Sequence, residues 1–88
     1  MLSSGNFNAE VLFQLGRMYY NDSRVDDAIS VFQQIISLFP NHSNALYALG
    51  VAYAAEGKND LALSQFEKVL KLNPGNTDVA QKIQELKH

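Results

Sequence analysis

The chain is built on an internal repeat, and that repeat limits its fold more than any other feature. Slid against itself by 34 residues, the sequence matches at Leu12, Leu15, Gly16, Tyr19, Asp26, Ala28, Ser30, Phe32, Leu38 and Pro40. These recur as Leu46, Leu49, Gly50, Tyr53, Asp60, Ala62, Ser64, Phe66, Leu72 and Pro74. The ten identities fall within residues 9–42 and 43–76, and Ile29/Leu63, Ile35/Val69 and Ile36/Leu70 are near matches. Residues 77–88 begin a third copy and extend it for about three helical turns. Fixed periods of this size mark stacked supersecondary units that bury their apolar faces only against one another.

Each copy reads as two helices. Leu12, Leu15, Gly16 and Tyr19 follow the i, i+3, i+4, i+7 spacing of one helical stripe, and Ala28, Phe32, Ile35 and Ile36 form a second. Between them Asn21-Asp22-Ser23-Arg24 is a polar run suited to a short turn. The matching break, Glu56-Gly57-Lys58-Asn59, holds a glycine able to end a helix in the left-handed conformation. Pro40 and Pro74 cannot continue a helix, Asn41 and Asn76 suit the turns beside them, and Ser43 and Thr77 are candidate N-caps. The reading predicts an all-α chain of five antiparallel helices, over about 8–21, 25–38, 43–55, 59–72 and 77–87.

Gly16 and Gly50 lie inside helices, where glycine costs about 1 kcal/mol relative to alanine. Their recurrence at one register predicts the close approach of a neighbouring helix, with Ala28 and Ala62 expected opposite them and Tyr19, Tyr53, Phe32 and Phe66 filling the space around. Small residues facing small ones, flanked by aromatics, form a packing code.

These residues resemble the tetratricopeptide repeat. Leu12, Leu15-Gly16, Tyr19, Ala28, Phe32 and Pro40 occupy the family's places in copy one, and Leu46, Leu49-Gly50, Tyr53, Ala62, Phe66 and Pro74 occupy them in copy two. The resemblance covers residues 9–88 and implies a right-handed α-α superhelix of helix hairpins whose first helices line a concave groove. It divides a single domain into an N-terminal segment (1–8), repeats at 9–42 and 43–76, and a capping helix (77–88). In the third copy Val79, Ala80, Ile83 and Leu86 can face inward, while Gln84 and Lys87 replace the small residue and the tyrosine, as suits a polar-backed cap. No comparable cap is read ahead of residue 9: Phe7 could cover the first hairpin, or Met1, Leu2 and Phe7 could be remnants of something longer. Pentatricopeptide RNA binders are relatives with basic grooves and a longer period, and neither feature is present.

Composition narrows the chemistry. Seven Lys and Arg against nine Asp and Glu give a net charge of −2, which disfavours a nucleic-acid partner. There is no cysteine for a disulfide, a thiolate zinc site or a thiol nucleophile. His42 and His88 are isolated in loop or terminal positions and have no ligand spacing around them. Asp22, Asp26 and Asp27 lack the glycine and closing glutamate of a calcium loop; Asp26 and Asp27 instead suit the positive end of a helix dipole, as Asp60 does in copy two. No phosphate loop or serine elbow occurs. The expectation is therefore no enzyme, no cofactor and no metal. No apolar run approaches the length of a membrane span, so direct membrane insertion is not expected, and the compartment defaults to the cytoplasm unless a longer parent chain carries an anchor.

The family's usual role implies a protein or peptide partner in the groove. Beside the core stripe of the first helix, Phe13, Arg17 and Tyr20 are spaced i, i+4, i+7, and the same register of copy two holds Tyr47, Val51 and Ala54. The third helix adds Asp78, Gln81, Lys82 and Glu85. By resemblance this is the groove face, with Phe13, Tyr20 and Tyr47 as aromatic surface and Arg17 and Lys82 as anchors for carboxylates or carbonyls. The competing reading of Phe13 and Tyr20 is simple packing against adjacent helices. Relatives that grip chaperone tails use Lys and Asn on the first two groove helices and Lys and Arg on the third. Here the first groove helix offers Phe13 and Arg17 and the third Asp78 and Lys82, so most of that clamp is missing, which disfavours a chaperone tail and favours an apolar or aromatic segment instead.

The second helix is apolar around most of its circumference: Val25, Ala28, Ile29, Val31, Phe32, Ile35, Ile36, Leu38 and Phe39. Such a surface predicts a cover, supplied by the N-terminal segment, by a second copy in a homodimer, or by further repeats of a larger protein. Self-association without a foreign ligand is accordingly the alternative function.

Overall fold

The structure, a computed structural model, describes residues 8–87; Met1, Leu2, Phe7 and His88 lie outside them. Among the described residues the chain forms five helices and no strand: α1 (Ala9–Asn21), α2 (Val25–Leu38), α3 (Ser43–Ala55), α4 (Asn59–Leu72) and α5 (Thr77–Lys87). Each helix packs on the next in an elongated array 48 × 27 × 16 Å.

The repeat sets where helices begin. The Asn8 carboxamide oxygen accepts from the backbone N–H of Glu10 at 2.8 Å, His42 Nδ1 from that of Ala45 at 3.1 Å, and Asn76 Oδ1 from that of Val79 at 3.1 Å. These three acceptors lie 34 residues apart and satisfy donors that the first helical turn leaves unpaired. The caps therefore sit one residue before the expected Ser43 and Thr77, which are the first helical residues. His42 is correspondingly half-buried and not a free surface loop residue.

The turns inside the hairpins repeat as closely. Arg24 N–H donates to Tyr19 C=O at 2.8 Å and Ser23 N–H to Tyr20 C=O at 3.1 Å; Lys58 N–H donates to Tyr53 C=O at 2.9 Å and Gly57 N–H to Ala54 C=O at 3.0 Å. This paired closure requires a left-handed residue just after the helix. Gly57 meets the requirement at φ 76°, whereas Ser23 is held at φ 65° with a Cβ that disfavours it. Asp26 and Asp27, and then Asp60, occupy the first turns that follow.

The face of each helical glycine meets a phenyl ring. A Cβ added at Gly16 would come within 2.8 Å of Phe32 Cζ and 2.9 Å of its Cδ1. One added at Gly50 would meet Phe66 Cε1 at 2.6 Å and Cδ1 at 2.9 Å. Phe32 and Phe66 are buried to 1 % exposure, and Ala28 and Ala62 are fully buried in the same core. Across the repeat boundary, Gln33 Nε2 donates to the Tyr53 hydroxyl at 2.7 Å. Ala28, Ile29, Val31, Phe32 and Ile35 of α2 are all buried and Val25 and Ile36 half-buried, so the exposed large apolar side chains there are Leu38 and the following Phe39.

Two consequences can be measured by denaturant unfolding. Ser23→Gly should stabilise the chain by about 0.5–1 kcal/mol, because release of the left-handed strain exceeds the added unfolded-state entropy. Gly16→Ala should destabilise it by about 1–3 kcal/mol despite alanine's better helix propensity, because a buried ring must shift.

Candidate functional site

The floor of the candidate site is made by the same rings. Phe32, admitted by Gly16, packs on Phe13 with ring centroids 5.8 Å apart, and Phe66, admitted by Gly50, packs on Tyr47 at 5.7 Å. Tilted pairs of this kind fix the orientation of both rings. Phe13 also lies 6.2 Å from the His42 ring. Thus Phe13 and Tyr47, 34 residues apart, rest half-buried on equivalent supports. Phe13 packs on Phe32 and also lines the first hollow described next.

Two hollows lie along this side of the first helices. One, of about 220 Å³, is lined by Phe13, Arg17, Tyr20, Asn21, Phe32, Tyr47, Ala48 and Val51. The next, of about 110 Å³, is lined by Val51, Ala54, Phe66, Lys82, Glu85 and Leu86. Val51 lines both. The expected groove residues Phe13, Arg17, Tyr20, Tyr47, Val51, Ala54 and Lys82 all fall on one or the other. Asp78 does not; it borders a more polar recess with Ser43, Asn44 and Asn73, and Gln81 bonds to Glu85 on the surface of α5 at 3.3 Å. The periodicity of the first helix pointed away from Phe32 and Phe66, since both belong to second helices. The usable signal was a helical glycine followed sixteen residues later by phenylalanine in both copies.

Charge is sparse here. Arg17 is exposed at one end, and Lys82 Nζ lies 5.9 Å from the Tyr47 ring centroid at the other, within reach of a cation–π attraction. Glu85 is the acidic group nearby. Hollows of this size fall below the roughly 300–1,000 Å³ of small-molecule pockets and suit single side chains of a bound polypeptide. Among the described residues no group of three His, Asp or Glu side chains could hold a metal ion, and no helix is long and apolar enough to cross a membrane.

A family model described as tetratricopeptide repeat matches residues 8–77. The chain belongs to the tetratricopeptide repeat family. Solved structures share its all-α array of helix hairpins. The first tetratricopeptide domain of Spaghetti (RPAP3), bound to the HSP90 peptide SRMEEVD, superposes with a TM-score of 0.86 at 21 % identity, over 91 % of this chain and 64 % of that one. A mutant of MamA superposes with a TM-score of 0.83 at 26 % identity, over 96 % of this chain and 61 % of that one. The tetratricopeptide array described here therefore spans a little under two thirds of the length of each. No curated protein matches the sequence.

A perturbed titration lies outside the groove, where the end of α3 meets the start of α2. The Glu56 carboxyl is raised above its ordinary value first by hydrogen bonding with Asp26, then by desolvation and by the Asp26 charge, against an opposing Lys58 at 3.4 Å. A raised folded-state value means that the folded chain holds its proton more tightly than the unfolded one. The favourable contribution is therefore present at acidic pH and is lost as pH rises through the raised value. Glu56→Gln should raise the melting temperature at pH 7, and the gain should shrink as the pH is lowered into the carboxylate range.

Proposed function

We propose that this chain is a protein-interaction module, not an enzyme, and that its first helices bind a peptide segment carrying bulky apolar or aromatic side chains. On this reading residues 1–88 form one domain of two repeats and a closing helix. The observation that carries the proposal is the convergence of side chains from α1, α3 and α5 on two adjoining apolar hollows that share Val51. Successive side chains of a bound segment would enter the hollows. Arg17 and Lys82 would meet acidic groups or backbone carbonyls at either end, and the aromatic rims would supply most of the energy. The peptide bound by the RPAP3 domain supports a polypeptide as the kind of partner. A chaperone tail fits poorly, because Phe13 on the first helix and Asp78 on the last are not the basic residues that a carboxylate clamp uses. A nucleic acid fits poorly too, given the net charge of −2 and a groove with two cations.

Selection of a random peptide display library against the folded chain should enrich bulky apolar residues next to Asp or Glu. The selected peptides should lose at least tenfold in affinity to Val51→Glu, with helical circular dichroism unchanged, and should outcompete SRMEEVD. A library yielding no such consensus, or peptides that bind Val51→Glu as well as the parent, would overturn the assignment.

A further inference from the structure

The repeat allows the faces of α1, α3 and α5 to be compared position by position. Val11, Leu15 and Met18 of α1 correspond to Ala45, Leu49 and Ala52 of α3 and to Val79, Ile83 and Leu86 of α5. Gly50 faces α4, and Ala45 and Ala52 lie about 140–160° around α3 from it, toward α2, the other neighbour of α3. Ala45, Ala52 and Val79 are 0 % exposed. On α1 the same face is open, with Val11 64 % and Met18 59 % exposed, the two most exposed large apolar side chains among the described residues.

We propose that this outer face of α1 is a self-association surface, where two copies of the chain meet through an antiparallel α1–α1 pair. Three observations select a second copy. Val11 and Met18 are one heptad apart, so a two-fold axis near Gln14 and Leu15 sets Val11 of each chain against Met18 of the other, the self-complementarity that a two-fold contact needs. Glu10 and Arg17 are also seven residues apart, on one flank of that stripe. The same axis brings each Glu10 toward the opposite Arg17, giving two ion pairs at the rim. Within the chain the ion pairs among the described residues are Arg24–Asp27 and Lys58–Glu56; Glu10 accepts a hydrogen bond from Gln14 Nε2 at 2.8 Å, and neither Glu10 nor Arg17 is in one of those pairs. Finally, Val11 and Met18 are larger than the alanines by which α3 approaches α2, so they suit two helices at wider, interdigitated spacing better than a copy of the α2–α3 contact. A single pair of 13-residue helices buries less than the roughly 1,200 Å² of a stable interface, so the dimer is weak and forms at micromolar concentrations or above.

Sedimentation equilibrium of the full chain from 10 µM to 1 mM (a span set about typical weak-dimer affinities) should show a monomer–dimer equilibrium. Met18→Glu should weaken it at least tenfold. Glu10→Arg and Arg17→Glu should each weaken it, and the double exchange should restore it. Because the chain has no cysteine, Gln14→Cys should give a disulfide-linked dimer on mild oxidation, which Lys68→Cys on α4 should not. A monomer at all concentrations, indifference to Met18→Glu, or failure of the double exchange to restore association would overturn the proposal. Dimerisation that appears only after removal of residues 1–7 would assign the face to that segment instead and overturn it equally.

Discussion

The close approach of Phe32 to Gly16, and of Phe66 to Gly50, is the contact on which the rest of the structure depends. A helix tolerates an internal glycine at a cost of about 1 kcal/mol, and here that cost is offset by the full burial of a phenyl ring, worth about 1.5–3 kcal/mol. The ring can enter because no Cβ stands in its way. Once seated it fixes the spacing of the two helices in each hairpin, and the next hairpin repeats the arrangement one period later. Small domains have little core to spare, so a single ring that both closes the hairpin and contacts the neighbouring layer uses its volume twice.

The groove follows from this packing. A ring wedged against glycine presents its other side toward the first-helix face, where Phe13 or Tyr47 rests on it. The proposed site is thus built on rigid, buried supports, which lowers the ordering cost of capturing a peptide. It also means that the aromatic residues of the groove have two roles. Removing Phe13 or Tyr47 takes away binding surface and core packing together, so their truncation cannot separate binding from folding. Val51, on the boundary between the hollows, touches binding with less effect on the hairpin.

The helix limits were legible because the periodic apolar stripes, the two prolines and the polar breaks all pointed to the same boundaries. The caps were read one residue late. Ser43 and Thr77 have the preferred chemistry, but the side-chain acceptors that cap the helices belong to His42 and Asn76, and histidine is a rare cap that propensity alone would pass over. The nearness of the phenyl rings to the helical glycines was less legible, because which stripe of α2 turns toward Gly16 depends on crossing geometry. Of the groove, the first-helix register was readable because it lies beside the core stripe. The phenyl floor was not, because it comes from helices whose periodicity describes only their own burial.

The two ends of the array differ in a way that the repeat makes plain. At the α5 end the face that would meet another hairpin carries Gln84 where Gly16 and Gly50 stand and Lys87 where Tyr19 and Tyr53 stand, so water is an adequate neighbour. On α1 the outer face of the described residues is different: Val11 and Met18 are apolar, exposed, and larger than the alanines at their register in α3. Arg17 lies between this open face and the groove, lining the first hollow while sharing a flank with Glu10. A cation in that position cannot serve a peptide carboxylate and a neighbouring chain's glutamate at full strength together. Any pairing of α1 faces would therefore draw on the same charge that anchors a ligand, so the two surfaces would be coupled through one side chain without any change in the fold.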